Sequence, residues 1–60
     1  LGGAGMKVGD LVLTSWQEDS AMLWIILEIK EDGDHFICSL VSGYKTYTNA
    51  FFLKAINETR

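Results

Sequence analysis

At 60 residues the chain has room for one domain, and a fold of that size buries only about 60% of the surface its unfolded chain exposes. Yet 48% of the residues are hydrophobic, seven of them aromatic, more apolar material than so small an interior takes up. The net charge of −3, with Lys7, Lys30, Lys45, Lys54 and Arg60 scattered singly, disfavours nucleic acid and anionic membranes as partners, since both demand a basic footprint.

The order of elements starts with Leu1-Gly2-Gly3-Ala4-Gly5, which is small-residue and aperiodic. It reads as a leader or an expression remnant, and the domain is placed at residues 6–60. Gly9-Asp10 reads as a bend that leads into a strand from about Leu11 to Trp16, where Val, Leu, Thr and Trp favour pleated structure. Gln17-Glu18-Asp19-Ser20 is polar and reads as a loop.

Ala21 to Lys30 is the longest predicted strand. Ala, Met, Leu and Glu are helix formers, but Ile and Trp enrichment and the Asp32-Gly33 dipeptide just beyond favour a strand. Asp-Gly between two β-rich runs is the strongest short-range hairpin signal and predicts a type I′ turn. In this strand Ile25, Leu27 and Ile29 are assigned to the core, which leaves Trp24 and Ile26 on the opposite face. His35 to Val41 is expected to pair back, with Phe36, Cys38 and Leu40 inside and His35 on the surface. Ser42-Gly43 marks the next turn, and Tyr44 to Thr48 another strand. Asn49 to Phe52 is too short for a strand and predicts one 3₁₀ turn capped by Asn49. Leu53 to Ile56 is the last strand, followed by a polar end.

Five short strands with regular turn signals and no helix of any length predict an all-β fold, a small closed barrel that leaves no free strand edge. The opening Lys7-Val8-Gly9-Asp10-Leu11-Val12, the long strand, the Asp-Gly hairpin, the Ser-Gly turn, the 3₁₀ turn and the final strand resemble the SH3-like barrels, KOW and Tudor modules among them. More narrowly, the opening and the ending Leu53-Lys54-Ala55-Ile56-Asn57-Glu58-Thr59-Arg60 resemble short proteins of tailed phages, marine ones especially, to which no activity is assigned. The resemblance implies a five-stranded SH3-like barrel with one 3₁₀ turn before the last strand, and a phage context with a location in the host cytoplasm. SH3-like relatives usually carry a charged or polar turn and a Trp before the last strand. This chain has Tyr44, Tyr47 and the Phe51-Phe52 pair there instead.

Catalysis needs a nucleophile, a base or a metal held together. His35 and Cys38 are three residues apart, and in a strand an odd spacing puts them on opposite faces. Cys38 reads as a small buried hydrophobe, and one cysteine makes no intrachain disulfide. Glu31, Asp32 and Asp34 lack calcium-loop spacing and read as a solvated hairpin tip. No catalytic, cofactor or metal residue is assigned, and the chain is read as a non-enzyme. No apolar run reaches the roughly 20 residues of a membrane span, and Asn57-Glu58-Thr59 without a secretory signal is read as a chance sequon.

The remaining candidates form one set: Trp16, Trp24, Ile26, Tyr44, Tyr47, Phe51 and Phe52, assigned to a protein interface. The expected function is a structural or protein-interaction module that forms a homo-oligomer. A peptide or other protein partner in an aromatic groove is the lesser expectation for the same set. A KOW-like or Tudor-like nucleic-acid module is the alternative, against which the acidic balance weighs.

Overall fold

A computed structural model describes residues 5–16 and 22–56. Five strands form one antiparallel sheet: β1 (Leu11–Thr14), β2 (Trp24–Ile29), β3 (Asp34–Ser39), β4 (Lys45–Asn49) and β5 (Leu53–Ala55). A 3₁₀ turn, η1 (Ala50–Phe52), sits between β4 and β5. The predicted leader (apart from Gly5), the loop after Trp16, the Ala21 start of the long strand and the polar end lie outside the described residues.

The order across the sheet is β4-β3-β2-β1-β5. Strands β1 to β4 pair with their sequence neighbours, and β5 returns to β1 through Val12↔Ala55, Leu13↔Lys54 and Thr14↔Leu53. The all-β expectation is met, but barrel closure is not. Among the described residues no ladder joins β4 to β5, so each keeps an open edge.

Turn chemistry sets the register. The hairpin predicted at Asp32-Gly33 forms, but not as a type I′ turn. That turn needs positive φ at both central residues, and here only Gly33 has it, at +98°. The loop is instead three residues long. Gly33 N–H donates to Lys30 O at 3.0 Å, Lys30 N–H donates to Asp34 O at 2.8 Å, and the Asp32 carboxylate accepts from Asp34 N–H. The β3–β4 loop ends on Gly43, at φ +81°. Ser39 and Tyr44 close it, with Ser39 N–H donating to Tyr44 O at 2.8 Å. The Ser39 hydroxyl, buried beneath, accepts from Val41 N–H and Ser42 N–H.

The odd loop length fixes which side chains of β3 point inward, and it inverts the sequence assignment. His35, Ile37 and Ser39 are buried, whereas Phe36 and Cys38 are half-buried on the outer face and Leu40 is exposed in the turn. His35 tolerates burial because its Nδ1–H donates to Gly33 O at 2.8 Å, a carbonyl being able only to accept.

The same inversion runs through β2. Trp24 and Ile26 are in the core, at 3% and 0% exposure, and pair with Ser39 and Ile37. Ile25 is half-buried, while Leu27 and Ile29 are exposed. The register shifts between Ile26 and Glu28, which makes Leu27 the extra residue of a β-bulge. The core cluster is Val12, Trp24, Ile26, Ile37 and Leu53, with Met6 packed against it. Burying each aliphatic member contributes about 1.5–3 kcal/mol.

The last turn matches the sequence closely. Asn49 caps η1, its side-chain oxygen accepting from Phe51 N–H at 2.7 Å. Leu53 N–H closes the turn onto Ala50 O, and β5 follows at once.

Candidate interaction surface

Four exposed aromatic side chains form a row with the buried Trp24. Tyr44 packs edge-on against Trp24, with ring centroids 6.4 Å apart. Trp24 meets Trp16 at 6.2 Å, Trp16 meets Phe52 at 6.3 Å, and Phe52 meets Phe51 at 5.3 Å. All four contacts are T-shaped, the geometry that the ring quadrupoles favour.

Three elements build this row. Trp16 stands in the turn after β1, Tyr44 just before β4, and Phe51 and Phe52 in η1. A turn of only three residues cannot bury both Phe rings, so Phe51 is 84% exposed and Phe52 is 43% exposed. Trp24 is the buried hub on which Trp16 and Tyr44 rest. With aromatic side chains of 150–250 Å² each, the exposed parts of Trp16, Tyr44, Phe51 and Phe52 amount to roughly 500 Å². That is at the upper end of the largest patch on a typical monomer, about 300–600 Å².

Beside the row lies a groove of about 290 Å³, lined by Leu13, Thr14, Ser15, Phe51, Phe52, Leu53 and Lys54. Its walls are mainly apolar, and among the described residues Lys54 is their only charge. Thr14 is buried, and its Oγ1 has no hydrogen-bond partner. A second depression, about 480 Å³, lies along Glu28, Ile29, Lys30, Glu31 and Asp32. One strand end and its turn line it, so no second element encloses a ligand there.

Tyr47 stands apart from the row, on the outer face of β4. Its ring is 4.5 Å from that of Phe36, and Lys30 Nζ lies 5.0 Å from its centroid. Of the seven residues assigned to an interface, the structure thus brings Trp16, Tyr44, Phe51 and Phe52 together on one surface, with Tyr47 elsewhere. Trp24 and Ile26 are corrections: their side chains are spent inside the chain and leave no area for a second one. The sequence reading missed Leu13 and Thr14, which the groove recruits through the β1–β5 pairing. No local signal brings residues so distant in sequence together.

Among the described residues no group of three His, Cys, Asp or Glu side chains could hold a metal ion. His35 and Cys38 do lie on opposite faces, and Cys38 Sγ sits 3.6 Å and 3.7 Å from the Ser39 and Gly43 carbonyl oxygens. No helix among the described residues is long and apolar enough to cross a membrane. The chain matches no known family, no curated protein and no solved structure.

Proposed function

We propose that the chain is a non-enzymatic protein-interaction module that self-associates. The observation that carries this reading is the balance of apolar side chains. Among the described residues six apolar side chains are buried, whereas twelve large ones are exposed. Scattered singly, exposed apolar residues need no explanation. Here four of them, Trp16, Tyr44, Phe51 and Phe52, join through ring contacts with Trp24 into one patch beside an apolar groove. Apolar area of that extent stabilises a protein contact by leaving water, and aromatic rings are the side chains most enriched in the centre of interfaces.

An SH3-like relationship is part of the proposal. It is supported by the order β4-β3-β2-β1-β5, by the return of the last strand to β1, and by the 3₁₀ turn directly before that strand. The test is the solution mass by size exclusion with light scattering across a wide concentration range. A mass that rises above the 6.7 kDa of one chain is the expected result. A mass of one chain at every concentration overturns self-association.

A further inference from the structure

From the register of β4 we infer that the chain pairs with a second copy of itself edge to edge, β4 against β4 across a two-fold axis at Tyr47. This rests on the self-association proposed above and moves its seat from the aromatic patch to the sheet edge, which leaves the patch for another protein partner.

The backbone of β4 alternates between its two sides. Ser39 N–H donates to Tyr44 O, which makes Ser39 and Tyr44 a hydrogen-bonded pair. In an antiparallel ladder such pairs alternate, so Ile37↔Thr46 and His35↔Thr48 are the next ones. Thr46 and Thr48 therefore spend their backbone groups on β3. Lys45, Tyr47 and Asn49 turn theirs to the open side. On that side Thr46 Oγ1 donates to Tyr47 O over a long 3.5 Å, which leaves that carbonyl a second lone pair.

Natural edges are guarded by proline, by bulges, by short strands or by charge. The chain has no proline. The bulge lies in β2, and β4 runs five residues with a regular register. Its only charged residue is Lys45, at one end. The other open edge, β5, is three residues long with Lys54 at its centre, and so offers little to pair with.

The sequence of β4 suits itself as a partner. Turned about Tyr47, Lys45-Thr46-Tyr47-Thr48-Asn49 sets Tyr47 against Tyr47, Thr46 against Thr48 and Lys45 against Asn49. Every outward-turned backbone group then meets another outward-turned one. Tyr47 N–H and O exchange bonds with their symmetry mates, and Asn49 N–H reaches Lys45 O of the second copy. Aromatic pairs and Thr–Thr pairs are favourable across strands, and no like charges oppose each other. Lys30, Phe36 and Tyr47 already stack on the outer face, so the two copies continue one aromatic ladder across the axis. The aromatic row at Trp16, Phe51 and Phe52 takes no part.

The test is the mass of charge variants by light scattering or sedimentation, at low salt. Asn49→Asp keeps the η1 cap, because Asp caps as well as Asn, and sets a carboxylate against Lys45 twice per dimer. Dimerisation is expected to tighten roughly two- to thirtyfold, two cross-strand charge pairs converted to an equilibrium constant. Lys45→Glu with Asn49→Asp sets acid against acid and is expected to return the protein to one chain. Tyr47→Pro removes an outward N–H, which a proline on an edge strand can lack, together with the ring that packs on Phe36, and is expected to do the same. Should Tyr47→Pro unfold the chain, the charge pair still decides. Phe51→Ser is expected to leave the mass unchanged. Association that persists in the acidic double variant, at dimer or any higher mass, overturns the β4 edge while self-association stands. One chain at every concentration in the unmodified protein overturns both.

Discussion

The two halves of β2 are both mainly apolar and opposite in fate. Trp24, Ile25 and Ile26 lead into the core, with Trp24 and Ile26 almost fully buried. Leu27 and Ile29, on either side of Glu28, remain 40% and 36% exposed. The bulge at Leu27 separates them. Strict alternation after Ile26 would turn Glu28 inward, and a buried unpaired carboxylate costs several kcal/mol. With one extra residue Glu28 instead pairs with Phe36 on the outer face, and Ile29 faces His35. The cost is an exposed Leu27. A strand's burial is thus set by where its register breaks and by what lies above it, not by its hydrophobicity.

The sharpest way to break this contrast is at its buried end. Ile26→Ala should cost about 2–5 kcal/mol, since it leaves a cavity at a fully buried site. A core this small supplies only about 3–5 kcal/mol in all, so most of its stability should be lost, read by circular dichroism as a markedly lower melting temperature. Gly33→Ala comes next, at about 1–2 kcal/mol, from the left-handed backbone alone. Nothing lies within 4 Å of the added Cβ, so amide exchange should quicken at the hairpin tip before the core. Asn49→Ala should cost about 1 kcal/mol by loss of the η1 cap, read as a lower urea midpoint, while Asn49→Asp should not. Leu27→Ala should change stability by no more than about 0.5 kcal/mol. A loss above 1 kcal/mol there, in the same urea titration, would mean that the outer half of β2 is covered after all.

The same contrast shows what could be read in advance. Asp32-Gly33, Ser42-Gly43 and the Asn49 cap were legible because turn and cap chemistry is local: a positive φ or a side-chain acceptor is needed at one position. The five strands and the 3₁₀ turn follow from those punctuation marks. The facing of β2 and β3 was not legible. Leu23 to Leu27 is apolar without alternation, so neither parity is marked, and β3 carries apolar residues on both parities, Phe36 and Cys38 against Ile37. A loop of three residues instead of two, and one bulge, decide between them. Trp16, Tyr44, Phe51 and Phe52 are exposed for the same local reason, since turns and a single 3₁₀ turn cannot bury them. The burial of Trp24 and Ile26 was not legible, since it hung on that parity.

The pairing of β5 with β1 also fixes the order of events when the chain folds. The other three ladders join strands that follow one another in sequence, whereas Val12↔Ala55 spans nearly the whole chain. The entropy of closing a loop grows with its length, so contacts of that span form slowly and late. Until β5 docks, β1 is itself an edge and Val12 is covered from one side only. The time the nascent chain spends in that state adds to its exposure to aggregation.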